Sequence, residues 1–261
     1  MKKSVFGAAA FCALALSASV AARAETPDVW PELTRDLFQN RAIVADTTVT
    51  LEAPTRAEDA AIVPMTLRFP DSAKIKTASL VIDQNPMPMA AAFSLGDGAG
   101  VSFITTRVRV NSYSMVHAVA ETRDGKLHME GKFVKAAGGC SAPAVKDQDE
   151  ANAHLGQMKY REFKSAESGK REAQIMIRHP NSSGMQMDQL THLYIPAHYI
   201  DRVEVRQGDQ LLFTMEGGIS LSEDPNFRFS YAPNGAKTLS VVAHDTKGNV
   251  FKAEWPIAEA S

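Results

Sequence analysis

The sequence predicts an all-β protein of two β-sandwich domains in tandem, with a short N-terminal helix. Short segments rich in β-branched residues recur along the chain and are separated by turn sequences such as LGDGAG, PNGA and DTKGN. A polar stretch without a strand pattern, residues 141–157, divides these segments into two sets. About six strands in about a hundred residues is typical of a β-sandwich.

The helix is predicted over residues 27–40, where Trp30, Leu33, Leu37 and Phe38 recur close to helical spacing. Strands are predicted where short apolar or alternating segments end at turns. The predicted strands of the first domain are 49–54, 62–69, 77–83, 101–110, 114–122 and 126–135. Those of the second domain are 171–179, 198–208, 210–217, 226–233, 237–246 and 249–257.

The first 24 residues resemble a secretory signal peptide. Two lysines precede a short apolar run, and Ala22-Arg23-Ala24 supplies the small residues of a cleavage site. The run is short for a membrane span, and no other stretch is long enough. We therefore expect a periplasmic mature protein that begins near Glu25, in which a first domain ends at residue 140 and a second covers residues 158–261.

Cleavage would change the charge and the cysteine count. Removing three basic residues and no acidic one leaves 25 basic against 30 acidic residues, a net charge of about −5, which disfavours a nucleic-acid partner. Removing Cys12 leaves Cys140 as the single cysteine, so no intramolecular disulfide can form. A lone thiol in an oxidising compartment is buried and inert, paired with another molecule, or chemically active.

The surroundings of Cys140 indicate an exposed thiol. In the preceding strand, KLHMEGKFVK, Leu127, Met129 and Phe133 share the side that we assign to the interior, so even-numbered positions would face outward. Glycines are costly to order in a strand, which makes continuation of the strand through the AAGGC sequence unfavourable. Nearby Lys135 and Lys146 could promote thiolate formation.

Motifs along the whole mature chain resemble those of the SoxYZ sulfur-carrier family of the periplasmic thiosulfate-oxidising system. VTLEAPTRAEDAAIVPMTLRF, IDQNPMPMAAAFSL and KFVKAAGGC are similar to SoxY segments. IRHPNSSGM, YIPAHYIDRVEV and LSEDPNFRFSYAPNGAKTLSVVAHDTKGN are similar to SoxZ segments. The resemblance implies two immunoglobulin-like sandwiches and a non-catalytic carrier without a resident cofactor.

In that family an arm cysteine carries sulfur intermediates covalently between redox enzymes. Cys140 stands at this position as the attachment site, and Gly138 and Gly139 match the glycines that give the arm its flexibility. The family arm ends as Gly-Gly-Cys-Gly-Gly, whereas this arm continues as Ser141-Ala142-Pro143 into the second domain. Such fused chains resemble a subgroup of carriers associated with quinoprotein dehydrogenases that use pyrroloquinoline quinone (PQQ).

The histidines and methionines of the sequence are weaker candidates for a functional site. His179, His192 and His198 follow no regular ligand spacing, so a metal site is not predicted and a structural or interface role is favoured. Two methionine pairs could bind copper(I), although packing is the commoner use of methionine. These pairs are Met87 with Met89 and Met185 with Met187.

The alternative function is an accessory module for a periplasmic PQQ-dependent alcohol dehydrogenase, in which Cys140 is incidental.

Overall fold

The structure is a computed structural model that describes residues 28–143 and 153–258. The predicted signal peptide and residues 144–152 of the predicted linker, including Lys146, lie outside the described residues. Among the helices described, none is long and apolar enough to cross a membrane.

The described residues form mostly strands, with a short α-helix and a single 3-10 turn at Ser72–Lys74, as the sequence predicts for an all-β fold. The helix, α1, is Trp30–Phe38. The strands of the first half are β1 (Ile43–Ala45), β2 (Thr50–Glu52), β3 (Val63–Arg68), β4 (Ile75–Ile82), β5 (Met89–Leu95), β6 (Phe103–Val108), β7 (Ser114–Thr122) and β8 (Leu127–Val134). Those of the second half are β9 (Met158–Phe163), β10 (Arg171–Ile177), β11 (Ile200–Gln207), β12 (Gln210–Gly217), β13 (Asn226–Tyr231), β14 (Thr238–Asp245) and β15 (Val250–Pro256).

The two halves share both sheets. One sheet has the order β1-β8-β7-β4-β5-β12-β11-β14-β15, and the other has the order β2-β3-β6-β13-β10-β9. Strand β5 pairs with β12 and strand β6 with β13, antiparallel in both cases. Each sheet therefore runs without a break from one half of the chain to the other.

The hydrophobic core is also continuous across the junction. Phe93 of the first half makes edge contacts with Phe213 and Phe227 of the second, at ring-centroid distances of 6.1 and 6.4 Å. Phe213 in turn contacts Phe229 at 5.0 Å. All four rings are almost completely buried, so the two halves stabilise each other through shared apolar surface.

Helix α1 covers the outer face of the larger sheet. Its Phe38 packs in a small cluster with Val81, Val119 and Leu127, and Trp30 stacks on His117 at 3.8 Å. The face of β4 and β7 that points away from the main core therefore also carries buried apolar side chains, Val81 and Val119. The helix thus gives β7 a second apolar face and also covers Leu127 and Met129 of β8.

This second apolar face makes the predicted orientation of β8 wrong. Leu127 and Met129 face the helix, Phe133 is 42% exposed, and Val134 is completely buried in the main core. Residues paired across β7 and β8 lie on the same face, and Ala118, a core residue, pairs with Glu130. The even-numbered side of β8 is therefore the inner one.

We predict that the two halves unfold in a single transition because they share sheets and core. Trp30 reports on the first half and Trp255, which stacks on Tyr160, reports on the second. Denaturation of Trp30→Phe and Trp255→Phe variants, followed by fluorescence, should give coincident midpoints. Phe213→Ala should lower the free energy of unfolding by about 3–5 kcal/mol in both reporters. Phe133→Ala, at an exposed site, is the control, and two separate transitions would contradict the shared core.

Candidate functional site

Cys140 is a free thiol that is completely buried, so the expectation of an exposed cysteine is wrong. Two causes explain the difference. The inner side of β8 is the even-numbered one, and Val134 and Ala136 on that side are both buried before the chain reaches Cys140. Loops from both halves of the chain then enclose the cysteine segment.

The glycine pair docks this segment against the first half of the chain. Gly138 has a φ of +79°, a conformation that favours glycine. A Cβ atom at Gly139 would lie 2.0 Å from the carbonyl oxygen of Ala60 and 2.7 Å from that of Val110. The Gly139 N–H also donates to the Val110 carbonyl at 3.1 Å. The closed arrangement therefore requires glycine at residue 139 and favours it at residue 138, and the role of both in arm flexibility stays a prediction.

A loop of the second half closes over the cysteine segment from the other side. The Ser183 hydroxyl donates a hydrogen bond to the Cys140 carbonyl oxygen at 2.5 Å. The Gln186 side chain donates to the Ala142 carbonyl oxygen at 3.0 Å, and its own oxygen accepts from the Ser183 N–H. Ser183 and Gln186 are both buried. Together these two side chains hold the segment on each side of the thiol.

Arg109 lies between the cysteine segment and this loop. It directly follows β6 and is only 2% exposed. One terminal nitrogen donates to the Gly139 carbonyl at 3.2 Å and the other to the Asn181 carbonyl at 3.3 Å. Within residues 28–143 and 153–258 no carboxylate forms an ion pair with this guanidinium, and its Nε has no hydrogen-bond partner.

The electrostatic surroundings keep the thiol protonated at neutral pH. Burial raises the pKa of Cys140 to about 11, and the positive charge of Arg109 only partly opposes this effect. Burial also lowers the pKa of Arg109. Among the described residues, the cation that acts on the thiol is Arg109 and not Lys135. Lys146 lies outside the described residues. The sequence analysis did not single out Arg109.

A second buried cluster lies beneath the same loop. His179, His198 and Asp245 are all buried, and one potential ligand atom from each lies within 4.8 Å of the others. His198 Nε2 is 2.8 Å from Asp245 Oδ2, and His179 Nε2 is 3.5 Å from the same oxygen. The sequence analysis did not include Asp245 with these histidines, because Asp245 is distant from them along the chain. His192 does not join them and is exposed.

The hydrogen bonding of His179 favours a structural network over a metal site. The Asn181 N–H donates to His179 Nδ1 at 3.0 Å, so the proton of the neutral ring is on Nε2, which faces Asp245. A metal ion at Nε2 would require that proton to move and the Asn181 hydrogen bond to break. The cluster therefore anchors the loop that also supplies Asn181 and Ser183.

The surroundings favour the neutral form of His179 and the charged form of Asp245. Burial, reinforced by His198, lowers the pKa of His179 to about 4. Burial alone would raise the pKa of Asp245, but hydrogen bonds from Asn249, His198 and Lys247 outweigh burial and hold it below its usual range.

The methionine pairs of the sequence do not converge on the cysteine. Met87 packs with its sulfur against Gly218, whereas Met89 contacts the cluster beneath helix α1. Met187 is 39% exposed, and the Met185 N–H donates to the Ser183 hydroxyl. For Met87 and Met89 these are packing contacts, which is the commoner use of methionine.

Comparison with known families accounts for both halves of the chain. The family model described as sulfur oxidation protein SoxY matches residues 34–140, and the model described as sulphur oxidation protein SoxZ matches residues 159–256. The chain belongs to the SoxYZ sulfur-carrier family. The SoxY domain and the SoxZ domain are fused in tandem, and the SoxY match ends at Cys140.

Solved structures give more distant likenesses. The sulfur carrier protein SoxY from Chlorobium limicola f thiosulfatophilum is 24% identical, with a TM-score of 0.34 over 41% of this chain and 90% of that chain. A superoxide reductase (neelaredoxin) from Ignicoccus hospitalis is 12% identical, with a TM-score of 0.31 over 40% of this chain and 90% of that chain. A search of curated proteins gives no match.

We predict that His179 makes stability depend on pH. Because the pKa of His179 is near 4 in the folded protein and near 6.5 when unfolded, the unfolded chain binds an extra proton between these values. Stability should therefore fall as pH drops through this window. From pH 7 to 5, wild type should lose about 1–2 kcal/mol more than His179→Gln in urea denaturation.

The exposed His192 provides the matched control for this measurement. His192→Gln should retain the wild-type pH dependence, because that side chain is outside the cluster. An identical loss of stability in wild type and His179→Gln would show that His179 is not held neutral by the fold.

Proposed function

We propose that this chain is a periplasmic carrier protein that holds a sulfur intermediate, or another thiol-linked group, on Cys140. The observation that carries the proposal is the SoxY match, which ends at this free cysteine. Export would use the signal peptide predicted in residues 1–24. The partners would be periplasmic redox enzymes, with no nucleic acid, and with no membrane after cleavage of the signal. The carrier would have no catalytic site of its own.

Loading requires the closed segment to open. A Cys140 thiolate would attack an oxidised sulfur atom, a new S–S bond would form, and the leaving sulfur would depart with the electron pair of the broken bond. In the closed state the thiol is protonated and enclosed, which suppresses this reaction. Opening breaks the hydrogen bonds from Ser183, Gln186 and Arg109, all of which end on backbone carbonyls around Cys140.

Closure gives a carrier a physical advantage in an oxidising compartment. A thiol that is exposed only when a partner opens the segment avoids oxidation between encounters. The segment is tethered at both ends in this fused chain, so it would present Cys140 as a loop. The partner would then have to accept a loop, and not a free chain end.

The burial of Cys140 also favours one alternative. A buried thiol with a raised pKa is the usual state of a structural cysteine. In that case the chain would act as an accessory module for a periplasmic PQQ-dependent alcohol dehydrogenase, and its surface would carry the function.

We predict that Cys140 from native periplasm carries a reductant-sensitive adduct. Mass spectrometry of the Cys140 peptide should show a mass increase that disappears after reduction, because a carrier is partly loaded in the cell. Cys140→Ala should reproduce the phenotype of the gene deletion while leaving the fold intact.

The control is Ser141→Ala, which changes the adjacent exposed hydroxyl and preserves the thiol. A uniformly free Cys140, together with a Cys140→Ala strain that behaves like wild type, would exclude the carrier and support the accessory module.

A further inference from the structure

Arg109 presents a charge-balance problem that the fold itself does not solve. A buried guanidinium is costly unless an anion compensates its charge. Among the described residues, the hydrogen bonds of Arg109 end on the neutral carbonyls of Gly139 and Asn181. The carboxylates of Glu223 and Asp59 act on Arg109 electrostatically, without forming an ion pair with it. The positive charge is therefore only weakly compensated within the described protein.

Arg109 retains unused N–H donors next to the cysteine segment. A guanidinium has five N–H donors, and the two hydrogen bonds named above use two of them. The Nε atom is buried without a partner. The guanidinium donates to the carbonyl of Gly139, the residue directly before Cys140, and Arg109 and Cys140 also act on each other electrostatically.

We propose that Arg109 makes the enclosed site around Cys140, bounded by Gly139, Ser183 and Arg109 itself, selective for cargo that carries negative charge. The chemical class is an anionic sulfur substituent, such as a sulfonate, a thiosulfonate or a persulfide. This inference rests on the proposed carrier function and adds the residue that determines cargo charge.

The state of the thiol explains why cargo would be needed to complete the site. Burial keeps the Cys140 thiol protonated at neutral pH, so the unloaded cysteine does not supply the missing negative charge. An oxidised sulfur substituent such as a sulfonate is charged at neutral pH whatever the thiol pKa. Loading with such a group would place an anion near Arg109. The closed state would then have a lower free energy with anionic cargo than with neutral cargo.

A purely structural role for Arg109 makes a different prediction. The hydrogen bond to Gly139 lies within the SoxY domain, and the hydrogen bond to Asn181 joins that domain to the SoxZ domain. If these bonds were purely structural, their loss would affect every adduct equally. A selectivity role affects adducts according to their charge. The test must therefore compare adducts of equal size and different charge.

Thiol–disulfide exchange on the mature chain provides this comparison. A mixed disulfide at Cys140 is equilibrated with equal concentrations of 2-mercaptoethanesulfonate, 2-mercaptoethanol and cysteamine. Each exchange forms one S–S bond and breaks one, and it releases one thiol for each thiol consumed. Mass spectrometry gives the ratio of the three adducts in the folded protein and in urea. Dividing the ratio in the folded protein by the ratio in urea cancels the intrinsic differences in reactivity and stability between the three thiols.

Relative to the unfolded chain, folded wild type should favour the sulfonate adduct over the ammonium adduct by about tenfold or more. Arg109→Met should reduce this preference to within about twofold of the unfolded value, and Arg109→Lys should retain most of it. Arg107→Met is the matched control, because Arg107 lies on β6 and donates to the Asp224 carbonyl. It should leave the preference unchanged.

The outcomes separate this inference from the carrier proposal. Adducts that form in folded wild type without a charge preference would overturn the role of Arg109 and leave the carrier intact. No adduct in the folded protein, despite ready formation in urea, would contradict both proposals. The wild-type ratio decides the question even if an Arg109 variant fails to fold.

Discussion

The close packing of Gly139 against the carbonyl oxygens of Ala60 and Val110 is the constraint on which the site depends. It brings the end of the SoxY domain onto its own core, and the next residue, Cys140, is then enclosed. Arg109 and Ser183 complete the enclosure from the two domains. No side chain larger than hydrogen fits at residue 139, so the closed state is encoded in the glycine pair as well as in the loops.

The fused architecture gives this closed state a stable support. Strands of the two domains pair in both sheets, and their aromatic residues share one core. The SoxZ loop that supplies Ser183 is thus fixed relative to the SoxY domain. The contacts of His179 and His198 with Asp245 anchor the two ends of this loop. Opening of the cysteine segment is consequently a local event that breaks a few hydrogen bonds and leaves the shared core intact.

The sequence was sufficient for the fold class, because alternating apolar residues and turn sequences determine strands locally. It was insufficient at contacts that depend on the other half of the chain. Strand β5, with the sequence MAAAFSL, was not predicted because alanine has little preference for strands, yet β5 pairs with the SoxZ domain. The orientation of Cys140 was predicted wrongly because helix α1 makes the outer face of β8 apolar. Arg109 was not singled out from the sequence, and only the fold places it beside the cysteine segment.

The rate of Cys140 alkylation by iodoacetamide at pH 8 tests the closed state most directly. In the native protein the rate should be about a hundredfold lower than in urea, since the thiolate fraction is small and the sulfur is enclosed. The combined substitution Ser183→Ala and Gln186→Ala, which removes the loop's hydrogen bonds to the segment, should raise the native rate at least about tenfold without a matching loss of global stability. A native wild-type rate equal to that of the unfolded chain, or a double variant as slow as wild type, would contradict a segment held closed by the SoxZ domain.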